Sequence, residues 1–248
     1  MVFWVLCKIH GAYITIDSGD TTQQLTSEIT NNVCAETQFM IDEDQPDVSD
    51  IDIHPGADLS GLEIHEADLA NANLQNANLS NTNLVYADLS EADLSYSNLQ
   101  NSYIRFADLT GVNLSHANAS NADLSDSDLE DAYFRGANFE NADLRGVNFQ
   151  GRYLDGVNLK GAKLREVDLE GFLLENANLE GAGLAMANLT DANLRNANLV
   201  DTDLRYADIQ NADFRNANLK EADLSGVDLT EATFENSNLE EAITDSEE

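Results

Sequence analysis

Cys7, His10 and Cys34 are where chemistry would first be sought, because two thiolates and an imidazole in one short segment can hold a zinc ion. No fourth ligand stands at workable spacing, so the sequence predicts structural thiols and no metal. His54, His65 and His116 are scattered and form no constellation with them. No G-x-S-x-G elbow, Walker A run or G-x-G-x-x-G phosphate loop occurs. The 46 Asp and Glu residues could include an acid–base pair. They fall instead into a repeat that accounts for nearly all of them without catalysis. The expectation is therefore a protein that is not an enzyme and takes no cofactor.

Against those 46 acids stand 12 Lys and Arg in 248 residues, a formal charge of −34. That sign excludes a basic nucleic-acid-binding surface. A hydrophobic content of 42% is enough for a core, and two prolines with fourteen glycines exclude collagen-like chains. No apolar run approaches the roughly 18–20 residues of a membrane span. The opening MVFWVLCKIHGAYITI lacks a basic leader and carries Lys8 and His10 within its apolar stretch. This argues against a secretory signal and for a cytoplasmic protein. Two cysteines cannot build a disulfide framework.

What positions these residues is a five-residue period. From Leu59 to Leu239 every fifth residue is apolar, 37 positions in all, with 28 Leu, five Phe, three Ile and Ala119. Two residues before each lies a small one, 23 times Ala and five times Val, with Leu62, Arg152 and Phe172 as the exceptions to a small-residue rule. Asp or Asn stands between in 29 of the 37. A period of five fits neither the 3.6 of a helix nor the 2.0 of a plain strand. On extended backbone, Ala and Leu can point inward around an outward Asp or Asn while the next two residues turn a corner. Asp and Asn suit this, since their side chains bond nearby backbone.

Sorting the outward positions at twenty-residue intervals gives the number of sides. Asn78 through Asn238 form an unbroken asparagine series headed by Asp58, while Asp68, Asp88, Asp108 and Asp128 lead a series rich in aspartate. This separation requires a period of twenty, hence four sides. Stacked asparagines can bond amide to amide. Stacked aspartates cannot, and at ~4.8 Å two charges repel by about 0.9 kcal/mol in water.

The run A-(D/N)-L-x-x, as in Ala67-Asp68-Leu69-Ala70-Asn71, resembles the pentapeptide-repeat family over about residues 57–242. The resemblance implies an all-β solenoid, a right-handed quadrilateral parallel β-helix of about nine coils. Some members of that family resemble DNA and bind type II topoisomerases, shielding gyrase from quinolones. Residues 56–239 carry a net −20, about one charge per ~2.2 Å of the expected rod, near the ~1.7 Å of duplex DNA. Residues 1–55 are also acidic, which reads equally as adaptation to a salty cytoplasm.

The chain divides into residues 1–55, a cap segment and acidic linker; 56–242, the repeats; and 243–248, an acidic tail. Val5–Ile9 and Ala12–Ile16 around His10-Gly11 read as a hairpin, and Leu25, Ile29 and Val33 as a short helix. Arg152 and Phe172 stand one coil apart at positions kept small elsewhere, which predicts a local bulge, or a guanidinium stacked on Phe172 or Tyr153 at the surface. Tyr86, Tyr103 and Phe106 fall on one face in adjacent coils beside Arg105, the ingredients of a partner-binding patch. Arg105, Arg145, Arg165, Arg205 and Lys163 share one face, which should leave the other three more purely acidic. The expected function is a non-catalytic interaction scaffold with an unidentified protein partner. The alternative is a DNA-mimicking binder of gyrase or another type II topoisomerase. Neither takes up nucleic acid directly or inserts in a membrane, and a homodimer is left open.

Overall fold

The computed structural model describes residues 4–9, 12–17, 51–149 and 153–245. The chain forms two units, Met1–Asp44 and Gln45–Glu248. In the first, β1 (Trp4–Ile9) pairs antiparallel with β2 (Ala12–Asp17), Trp4 opposite Asp17 and Ile9 opposite Ala12. This is the expected hairpin pairing. The helix expected around Leu25, Ile29 and Val33 lies outside the described residues, as do His10, Cys34 and Arg152.

The second unit is a right-handed quadrilateral parallel β-helix. With three exceptions among the described residues, each outward residue pairs in parallel with the residue twenty positions later, Asp58 with Asn78 and onward to Asp223 with Ile243. Five residues per side and twenty per coil make four sides. Side 1 follows Asp58, Asn78 and their series to Asn238; side 2 runs from Glu63 to Ile243. Side 3 follows Asp68 to Asp228, and side 4 Asn73 to Thr233.

One repeat shows why this composition folds this way. Leu89 N donates to Asp108 O at 2.7 Å and Glu91 N to Thr110 O at 2.8 Å in the next coil, while Asp93 N reaches back to Ala72 O at 2.9 Å. Ala92 N closes the corner on Leu89 O at 3.0 Å. The fifth amide, Ser90 N, has no carbonyl to meet, and the Asp88 carboxylate accepts from it at 2.9 Å. All five backbone donors are thereby satisfied, which a buried or half-buried ladder requires. The Asp/Asn position is thus part of the backbone's own hydrogen-bond accounting. The last residue of each described corner but one, Glu231, takes positive φ, 57° at Glu91 and 67° at Gly111. A turn whose second central residue is left-handed favours Asn, Asp and Gly, the types that recur there.

Inside, the Leu and Ala columns stack coil on coil, most of them between 0 and 3% exposed. Each buried Leu contributes about 1.5–3 kcal/mol relative to an exposed one. Hydroxyls at the small position are absorbed: Thr82 and Thr202 donate to the Leu59 and Leu179 carbonyls, both at 2.8 Å. Phe172, despite its size, also lies inside at 5% exposure, edge-on to Phe149 with ring centroids 6.3 Å apart. Beside it the ladder opens: among the described residues no bridge joins Tyr133 to Tyr153 or Asn148 to Asp168. A bulky residue in a small column accounts for a gap at this place.

Candidate functional site

The corner between sides 2 and 3 carries the aromatic residues singled out in the sequence. Tyr86 and Phe106, one coil apart, stack with ring centroids 5.1 Å apart and planes inclined by 14°. The Arg105 guanidinium lies 5.2 Å from the Phe106 centroid. Its Nε is 3.8 Å from the Asp123 carboxylate. Tyr86, Tyr103 and Phe106 are 40%, 55% and 37% exposed. The four residues are therefore together, on the outside, with Tyr103 on the flat of side 2 and the others at its edge. Farther along this edge Arg165 reaches the Met186 sulfur at 3.1 Å, and Arg205 holds Asp203 through two hydrogen bonds of 2.8 Å.

Sequence reasoning passed over the tightest ionic cluster. The Arg145 guanidinium donates twice to Asp143, at 2.8 and 2.7 Å, and the Lys163 ammonium once from the next coil at 3.0 Å. Burial raises the Asp143 carboxyl, but the hydrogen bonds from Arg145 and Lys163 outweigh it and bring its pKa down to about 2. Asp203 and Asp213 are lowered as well, each chiefly by its hydrogen-bonded arginine, Arg205 or Arg215. Arg145, Lys163 and Arg205 stand on the face expected for them; the signal for their partners is an outward Asp two residues before an Arg, as at Asp143-Arg145, Asp203-Arg205 and Asp213-Arg215.

Charge divides by side, and differently from the expectation. Side 3 with its following corner comprises residues 67–71 and each set twenty later. Its described residues include thirteen acids and no base. Among the described residues side 1 has seven acids and two bases, side 2 nine and five, and side 4, where Arg152 lies outside them, five and three. The nets are −13, −5, −4 and −2. Gathering five cations on side 2 leaves sides 1 and 3 more purely acidic, as expected, but not side 4, which Arg135, Arg195 and Arg215 make the least charged. Only side 3 is purely acidic.

A cleft of about 1360 Å³ opens where the ladder is interrupted, lined in part by Tyr133, Phe134, Phe149, Tyr153 and Phe172. Asp155 at its margin has its carboxyl pKa raised by burial. Among the described residues no group of His, Cys, Asp and Glu is placed to hold a metal, and no helix is long and apolar enough to cross a membrane.

Two family profiles match the chain: "Pentapeptide repeats", in eight copies over residues 72–111 and 113–151, and "Pentapeptide repeat region" over 168–243. No curated protein matches. Among solved structures, HetL, a pentapeptide repeat protein involved in heterocyst differentiation regulation from Nostoc sp. strain PCC 7120, is 29% identical. The match covers 79% of this chain and 92% of that one, with a TM-score of 0.32. A pentapeptide repeat protein of the Arabidopsis thaliana thylakoid lumen is 35% identical over 37% of this chain and 63% of its own, with a TM-score of 0.36. Full-length QnrB1, a plasmid-mediated fluoroquinolone resistance protein, is 18% identical over 78% and 93%, with a TM-score of 0.44.

Proposed function

Because the chain belongs to the pentapeptide-repeat family, we propose that it is a non-catalytic solenoid offering an interaction surface to a protein partner. The observation that carries this reading is the exposed Tyr86–Phe106 stack with Arg105 and Tyr103 beside it. Aromatic rings and guanidinium groups contribute most where they are desolvated on binding, and stacking already fixes the Tyr86 and Phe106 rings before a partner arrives. In a pull-down from native lysate, the double substitution Tyr103→Ala/Phe106→Ala is expected to abolish recovery of the bound protein. Unchanged recovery, with an unchanged thermal melt, would dismiss the patch.

The purely acidic side 3 favours a second reading, a DNA-like surface that engages gyrase or another type II topoisomerase. Its carboxylates climb the rod at about the ~4.8 Å rise of stacked strands, and no cation interrupts them. A gyrase supercoiling assay at several salt concentrations tests it. Inhibition or protection at stoichiometric protein supports this reading, and no effect across that range removes it.

A further inference from the structure

Side 4, the least charged, also departs from the outward Asp/Asn rule in three successive coils, at Tyr133, Tyr153 and Leu173. Tyr133 and Tyr153 are 63% and 71% exposed, and Leu173 is half-buried. The three straddle the middle of the bridged stretch from Asp58 to Ile243. Nothing in the repeat asks for them: the Asx hydrogen bond that the position normally supplies is forfeited at each.

We propose that side 4 is a self-association surface on which two copies of this chain pack antiparallel, about a two-fold axis passing by Tyr153. This goes beyond the partner readings above and does not depend on either. Three observations support it. First, two rods that each carry a large negative charge repel least through their least charged sides, net −2 here among the described residues against −13 on side 3. Second, the patch is self-complementary in the way an isologous contact demands. A two-fold at Tyr153 sets Tyr153 against its own copy and Tyr133 against Leu173 of the second chain, one coil to either side.

Third, the same operation acts on the corner column of side 4, where Arg135 and Glu175 stand one coil either side of Asp155. It brings Arg135 of each copy to Glu175 of the other. Among the described residues neither Arg135 nor Glu175 has an ion pair within its own chain. The other arginine–carboxylate pair of this side, Arg215 with Asp213, is already made. The two Asp155 carboxylates meet near the axis and oppose the contact. Together with the net charge of each chain, they make association stronger as salt rises.

Sedimentation velocity from 1 to 200 µM protein, in 0.15 and 1 M salt, tests the proposal on the full chain. The expected result is a dimer of the 27.1 kDa chain, tighter at the higher salt. Tyr153→Asn/Leu173→Asn, which restores the repeat's own residue type and keeps the fold, should leave a monomer with an unchanged melt. Arg135→Glu and Glu175→Arg should each weaken the homodimer by about tenfold. Mixed together, the two single variants should form a heterodimer, because both cross-contacts then pair opposite charges. A wild-type monomer throughout, a dimer surviving Tyr153→Asn/Leu173→Asn, or single variants that fail to associate on mixing would each overturn it.

Discussion

Sides 1 and 3 share one backbone and differ most in the outward column, asparagine from Asn78 to Asn238 on side 1 and mostly aspartate on side 3. On side 1 the asparagines form a ladder in which seven of the nine amides donate to the oxygen one coil earlier. Asn98 reaches Asn78 at 3.1 Å, Asn158 reaches Asn138 at 2.7 Å and Asn238 reaches Asn218 at 2.8 Å. Backbone bridges join every successive pair from Asp58 to Asn238. Side 3 has Asp68, Asp88, Asp108 and Asp128 one above another, and its side chains bond upward only where an asparagine intervenes, as Asn148 to Asp128 at 3.0 Å. Its bridges are missing between Asn148 and Asp168 and between Asp208 and Asp228. Repulsion alone does not open a rung, since the four leading aspartates stay bridged. The lesson is that the carboxylate column contributes its turn hydrogen bonds but no cohesion between coils, so local misfits open there and not on side 1.

The sharpest way to break this contrast is to put an acid into the amide ladder. Asn158→Asp replaces a donor with a carboxylate facing the Asn138 oxygen, and should cost about 2 kcal/mol at pH 7. The loss is read from urea unfolding and should recover partly as the new carboxyl protonates; an unchanged midpoint would show that the ladder does not hold side 1. Next in size is Asp143→Ala, which strands Arg145 and Lys163 and should cost about 1–2 kcal/mol. The sign of its pH dependence follows from a folded pKa of about 2 below the unfolded value of about 3.9. Its contribution is complete above pH 4 and fades as pH falls through the folded value. Acid titration of the wild type should therefore lose stability that the variant has already lost.

Smaller effects come from relieving side 3. Asp88→Asn supplies the donor missing between Asp68 and Asp108 and should stabilise by about 0.5–1 kcal/mol at low salt. That gain should shrink in 1 M salt, where repulsion is screened. Smallest is the salt response of the unaltered protein, a melting temperature rising by a few degrees from low to high ionic strength. Asp88→Asn/Asp108→Asn should flatten the rise, and a melt indifferent to salt in both would place the repulsion elsewhere.

The architecture was legible because the five-residue phase never slips between Leu59 and Leu239. Sorting by twenties then separated the asparagine from the aspartate column before any coordinate was known. Tyr86, Phe106 and Arg105 were placed together by the same arithmetic. The ladder openings were not legible. The one beside Phe172 was signalled by a large residue in a small column, but whether such a residue goes in or out depends on what the neighbouring coils vacate. The one near Asp228 has no such mark, although Glu231 alone lacks the positive φ found at the other described corners. The low charge of side 4 is written in Arg135, Arg195 and Arg215, which share one corner at multiples of twenty. The period does not reveal that corner side chains lean toward the following coil. A Cβ on Gly136 would come within 2.6 Å of the His116 ring, and one on Gly226 within 2.3 Å of Tyr206.

Where Asp or Asn stands outward, an oxygen that both possess catches the fifth amide of the corner, as Asp88 does for Ser90 and Asn98 for Gln100. Outside the side 1 ladder, exchanging one for the other keeps this turn bond while adding or removing a unit of charge. Such a chain can drift between a nearly neutral needle and a polyanion by single-nucleotide steps, since AAY and GAY codons differ in one letter. Its surface potential is then free to follow whatever partner or solvent it meets, at little risk to the winding itself.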